Sequence, residues 1–241
     1  MLRVFADHEQ LSSAAAELFA VRARAAVDAR GRFSVALSGA ETPRRTYELL
    51  AEPPLRSRIP WRQVHVFWGD ERCVPADSPR NNARMAREAL LDRVPVPPDQ
   101  VHAIACSGDP EAAAREYETL LRAFFGRTPR FDLILLGLGE DGHTASLFPR
   151  SPALALTDRW VAPVSAEPEN RVTLTVPVLN AAALACYLVR GQNKAAALAR
   201  ALEQTGPPED CPARLVHPDD GELLWLVDQA AATGLRRTGL S

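Results

Sequence analysis

The sequence predicts an α/β protein: a doubly wound, mostly parallel sheet flanked by helices on both faces. Three observations predict it. Apolar runs of strand length alternate with segments of helical periodicity, the order of successive βαβ units. The run Phe131-Asp-Leu-Ile-Leu-Leu136 is almost wholly apolar, as a central strand covered on both faces should be. Loops rich in glycine, hydroxyls and charge follow the predicted strands, where such sheets bind ligands.

The elements follow in order. Asp7 is placed to cap a helix running to about Ala29, where Gly31 stops it, and Leu11, Ala15, Leu18, Val21 and Ala25 share one face. A buried strand at Phe33–Leu37 leads through a tight loop to a helix over Pro43–Leu50. Val64–Trp68 is the second strand. Helices are predicted over Asn82–Leu91 and Pro110–Phe125, then the strand at Phe131–Leu136. Further strands are predicted at Trp160–Val164, Val172–Val176, Ala185–Val189 and Leu223–Val227, with a helix over Lys194–Leu202 between the last two. No repeat or composition break divides the chain, so one domain over residues 1–241 is expected.

Composition removes several function classes. The chain has 241 residues, 46% hydrophobic and 24% charged, which fits a globular protein with a buried core. Its net charge of −2, without a basic block, leaves no footprint for nucleic acid or an anionic membrane. The 18 uncharged residues from Val172 to Val189 reach membrane-span length, but alternation with Thr173 and Thr175, then Pro177, marks a strand and a turn. The N-terminus lacks a basic segment followed by an apolar one, so no secretory signal is expected. Cys73, Cys106, Cys186 and Cys211 show no CxxC or zinc spacing, which suits four free thiols in a reducing cytosol. Of 28 basic residues, 27 are arginine. The retained Lys194 therefore suggests a position that needs a compact ammonium instead of a planar fork.

Four loops carry chemistry. Ser38-Gly-Ala-Glu-Thr-Pro43 joins a strand to a helix. Its hydroxyls, Gly39 and free backbone N–H groups suit an anion such as phosphate, while a plain turn capped by Thr42 is the structural alternative. It lacks the Gly-Lys-Ser/Thr ending of a nucleotide P-loop. Trp68-Gly-Asp-Glu-Arg72 places three charges after a strand, either a solvated loop or one aiming Arg72 at an anion. Gly137-Leu-Gly-Glu-Asp-Gly142-His143 formally matches GxGxxG but lies past mid-chain, so the dinucleotide reading is rejected. Asp141 and His143 together instead offer a general base with a carboxylate to set its tautomer, and no second His lies at metal-ligand spacing. Arg171 and Lys194 can close a cationic pocket, or be solvated charges.

Taken in order, these motifs resemble the 6-phosphogluconolactonases. The likeness comprises Ser38–Pro43, the WGDERCVP run at Trp68–Pro75, Asn81–Leu91, the FDLILLGLGEDGHTASLFP block at Phe131–Pro149, Arg171–Asn180 and the GxxK at Gly191–Lys194. The resemblance implies the glucosamine-6-phosphate deaminase-like, Rossmann-like fold. It also implies metal-independent hydrolysis of 6-phosphogluconolactone in the oxidative pentose phosphate pathway, with no cofactor. By that likeness His143 is the general base, Asp141 orients it, Arg72 meets the oxyanion, and Asp70 orients Arg72 or the sugar hydroxyls. Ser38, Gly39, Ala40, Thr42, Asn82, Gly142, Arg171 and Lys194 bind the substrate and its phosphate. The chain departs from the family at Ala40-Glu41, where a second glycine and a small polar residue are usual, and has Asn81-Asn82 in place of the usual Ser-Asn pair. Ala40 is therefore expected in an alanine-compatible conformation, with Glu41 pointing away. A cytoplasmic protein is expected, monomeric or weakly dimeric, its partner a small phosphosugar lactone. The alternatives are a sugar-phosphate isomerase or deaminase of the same fold and a non-catalytic sugar-phosphate sensor.

Overall fold

The computed structural model describes residues 1–106, 108–203 and 206–235. In chain order the elements are β1 (Leu2–Phe5), α1 (His8–Arg30), β2 (Phe33–Leu37), α2 (Glu41–Leu50), α3 (Leu55–Arg58), β3 (Val64–Trp68), β4 (Asp70–Arg72), α4 (Asn82–Ala89) and α5 (Pro110–Phe125). Then come β5 (Leu133–Leu136), β6 (Val161–Val164), β7 (Arg171–Leu174), α6 (Val176–Asn180), β8 (Leu184–Val189), α7 (Ala195–Glu203), β9 (Glu222–Asp228) and α8 (Gln229–Ala232). Both ends of α1 follow local chemistry. Asp7 Oδ1 accepts from Gln10 N at 2.9 Å, and Gly31 takes the left-handed conformation (φ 74°) while its N–H closes on the Val27 carbonyl.

Six strands form one parallel sheet in the order β1-β9-β8-β5-β2-β3, flanked by helices. The inner strands β2, β5 and β8 are buried along their whole length, which is why they read as unbroken apolar runs. Between β8 and β9, Tyr187 stacks on Trp225 at 3.8 Å. No helix of the described residues is long and apolar enough to cross a membrane.

Four expectations need correction. The strands near residues 160 and 172 do not join the main sheet. With β4 they form a separate antiparallel sheet in the order β4-β7-β6, set by pairing across long stretches of sequence that periodicity does not report. β1 escaped pattern reading because its burial follows no strict alternation. The helix expected from Pro43 starts at Glu41. Cys73 and Cys106 form a disulfide, with Cα atoms 4.6 Å apart, whereas Cys186 and Cys211 are free and buried. The bond is tertiary in origin. Val101 bridges to Val66 of β3, and this brings the segment ending at Cys106 alongside the exit of β4.

Candidate active site

The C-terminal ends of β2, β5 and β8, together with the small sheet, enclose a cavity of about 450 Å³. Ser38, Gly39, Ala40, Thr42, Asp70, Arg72, Asn82, Asp141, His143, Arg171 and Lys194 all line it. Gly142 does not. It sits behind the wall at φ 94°, where a Cβ would come within 2.7 Å of Cys211 Sγ, so its contribution is to the turn and not to the cavity surface.

The turn after β5 brings Asp141 and His143 together. Asp141 Oδ1 accepts from the His143 backbone N–H at 3.0 Å and lies 2.6 Å from His143 Nδ1. A carboxylate accepts only, so Nδ1 carries a proton, and in the neutral ring the lone pair is on Nε2. Burial pushes the Asp141 carboxyl up, but the N–H bond and charge of His143 outweigh it and hold the carboxyl below its ordinary value. Gly139 makes room for the pair, since a Cβ there would lie 2.1 Å from His143 Nδ1.

The small sheet supplies the cationic wall. Arg72 and Arg171 are direct partners in the β4–β7 ladder, and the Nε atom of each is buried without a hydrogen-bond partner among the described residues. Burial, then the neighbouring charge of Arg72, lowers Arg171 from its ordinary value, opposed by Asp70, Glu169 and Glu71. An arginine so shifted is still a cation at neutral pH. Asp70 is buried and accepts from Ser146 Oγ at 2.6 Å. Lys194 pairs with no carboxylate among the described residues, so its ammonium is uncompensated at the cavity wall.

The loop after β2 is shaped from behind. Tyr47 O–H donates to the Ser38 carbonyl at 2.8 Å and accepts from Ser38 N at 3.0 Å. Ala40 contradicts the expectation of an alanine-compatible backbone: at φ 71° and ψ 177° it adopts a conformation that suits glycine. Glu41 is exposed and outside the cavity lining, as anticipated. Asn82 lies against Gly39, where a Cβ would meet its Oδ1 at 1.9 Å, and donates from Nδ2 to the Asp70 carbonyl at 3.0 Å.

Sequence reasoning missed several residues. Glu71, read only as part of a charge run, is buried. Its Oε1 accepts from Arg72 N and Asn82 N, and its Oε2 from Ala83 N, each at 2.8 Å. It thereby fixes the start of α4 and the backbone of Arg72. Burial outweighs these three bonds and raises the Glu71 carboxyl to about 7. Tyr47, Ser146, Glu140 and Arg190 were also missed, because nothing in their local pattern reports what the fold packs them against. Among the described residues, no cluster of three or more His, Cys, Asp or Glu is arranged to hold a metal ion.

Comparison with known proteins covers most of the chain. Residues 6–225 match the family described as glucosamine-6-phosphate isomerases/6-phosphogluconolactonase. A 6-phosphogluconolactonase from Synechocystis sp. is 46% identical over 216 residues, 88% of each protein. The solved 6-phosphogluconolactonase of Trypanosoma brucei is 30% identical, with a TM-score of 0.85 over 98% of both chains. A monomeric glucosamine-6-phosphate deaminase has a TM-score of 0.81 at 21% identity, over 97% of this chain and 99% of its own, a likeness of fold alone.

Proposed function

The chain belongs to the glucosamine-6-phosphate isomerase/6-phosphogluconolactonase family, and on that premise we propose how its cavity hydrolyses 6-phosphogluconolactone to 6-phosphogluconate in the oxidative pentose phosphate pathway. The observation that carries the reading is the Asp141–His143 pair at the edge of a cavity lined by cations.

His143 Nε2 takes a proton from water as the oxygen attacks the C1 carbonyl of the lactone. The pair of electrons from the carbonyl becomes an oxyanion, which Arg72 and backbone N–H groups stabilise. Collapse of the tetrahedral intermediate breaks the bond from C1 to the ring oxygen, and the imidazolium returns its proton to that oxygen. Asp141 keeps the ring in the productive tautomer and stabilises its charged form. Asp70, held by Ser146, orients Arg72 or the sugar hydroxyls. The phosphate rests against the loop Ser38–Thr42 at the start of α2, Asn82, Arg171 and Lys194. The reading includes a cytoplasmic protein, monomeric or weakly dimeric.

Hydrolysis of freshly generated 6-phosphogluconolactone in a pH-stat, corrected for spontaneous opening, tests this. Wild type should consume base rapidly and His143→Ala should approach the spontaneous rate. Near-normal turnover by His143→Ala would remove the assignment.

A further inference from the structure

Arg190, directly after β8, is a cation of the cavity wall with no role in the mechanism above. It is exposed and pairs with no carboxylate among the described residues. Its Nη1 lies 2.9 Å from His8 Nδ1, and His8 Nε2 lies 3.0 Å from the Thr42 carbonyl oxygen. These two contacts define the state of the ring. A guanidinium only donates and a carbonyl only accepts, so Nε2 carries the proton and Nδ1 the lone pair. His8, the first residue of α1, is thus a neutral link between the end of β8 and the first turn of α2.

The turn that presents Arg190 is itself anchored. Gly191 N–H points at both oxygens of Asp228, each at 3.0 Å, and Gly191 has φ 92°, a conformation suited to glycine. The carboxylates of the cavity wall are committed elsewhere: Asp141 to His143, Asp70 to Ser146 and Glu140 to Asn193. The charge of Arg190 therefore meets only a neutral ring. One of its five N–H donors is spent on His8, which leaves the remainder of the fork for an oxyanion.

We propose that Arg190 is a further phosphate-recognition residue of this site, held in place by His8 as a positioning residue, and that the two favour phosphorylated over unphosphorylated lactones. The inference rests on the reading of the cavity as a phosphosugar-lactone site.

Arg190→Gln, His8→Ala and the double variant test it, with thermal unfolding as the check on folding. Arg190→Gln should raise KM for 6-phosphogluconolactone about tenfold, the loss of one charge-assisted contact, with kcat nearly unchanged. Calorimetry with inorganic phosphate should show a matching loss of affinity, while KM for glucono-1,5-lactone stays as in wild type. His8→Ala should shift KM in the same direction, and the double variant should lose less than the product of the single losses. Equal KM rises for both lactones, unchanged phosphate binding in Arg190→Gln, or fully multiplicative losses would each overturn the proposal. A wild type that binds phosphate through Arg190 but opens neither lactone would uphold the phosphate contact of Arg190 alone, and would remove the lactonase reading and with it the lactone preference.

Discussion

Arg72 lies directly opposite Arg171 in the antiparallel ladder of β4 and β7, so two guanidinium side chains enter the cavity from adjacent backbone positions. Like charges placed this way repel, and a bound anion relieves the repulsion. Inorganic phosphate should therefore raise the unfolding temperature, with about 2.7 kcal/mol of stabilisation at a hundred times its Kd. Arg171→Gln should shrink that shift and raise KM. Arg72→Gln should instead lower kcat, by about a hundredfold if it donates to the oxyanion. Differential scanning calorimetry and steady-state kinetics read the two effects separately.

Gly139→Ala should disable chemistry while sparing phosphate binding. The added Cβ would fall 2.1 Å from His143 Nδ1 and 2.6 Å from Asp141 Oδ1, where the proposed acid–base pair now sits. A fall in kcat of about 10²- to 10⁴-fold is expected, the usual worth of a general base, with calorimetric phosphate affinity close to wild type. Retained kcat would show that the pair is not needed in this geometry.

Ala40→Gly should stabilise the protein. At φ 71° and ψ 177°, Ala40 sits where a Cβ is penalised, at a cost of about 1–3 kcal/mol. Glycine removes that cost but adds freedom to the unfolded chain, which offsets about 0.4–1 kcal/mol of the gain. Urea unfolding should show a net gain of about 1 kcal/mol, with turnover maintained.

Glu71 predicts a specific pH dependence. Burial raises its folded carboxyl to about 7, whereas an unburied one titrates near the ordinary 4.5. Between these values the folded chain holds more protons than the unfolded chain, so the contribution of Glu71 to stability declines as pH rises through that window. Above the folded value the whole burial penalty is present. Glu71→Gln cannot ionise, so its stability relative to wild type should improve from about pH 5 to about pH 8 in parallel urea titrations. At any one pH the variant also loses acceptor capacity at the N–H groups of Arg72, Asn82 and Ala83. The difference between the two pH values is therefore the diagnostic reading.

The Cys73–Cys106 bond gives a direct count. Under denaturing, non-reducing conditions two thiols should titrate, Cys186 and Cys211, and four after reduction. Cys106→Ser should cost about 2–4 kcal/mol in chemical unfolding, because the crosslink restricts the unfolded chain.

Legibility along the chain tracked how local each interaction is. Asp7, Gly31 and the runs at β2, β3 and β5 could be read because capping and periodicity act within a few residues. Asp141 and His143 could be read as a pair because they stand two positions apart on one turn. β4 was read as a charged loop because its three residues, Asp70 to Arg72, become a strand only by pairing with β7 about a hundred positions later. Glu71 shows the same limit: its charge looks solvated in sequence, and only the backbone N–H groups of α4 explain its burial.

The sequence by itself determined the alternation of strands and helices, the polar loops at the strand ends, the closeness of Asp141 to His143 and the presence of a single lysine, Lys194, which the fold places at the cavity. These are properties of short segments, where backbone geometry and side-chain chemistry suffice. The tertiary structure decided the second sheet, the facing of Arg72 on Arg171, the disulfide and the link from His8 to Arg190 across 182 residues. The reason is physical. Those contacts exist only after the sheet has closed, and no local propensity in either partner encodes which distant group it will meet.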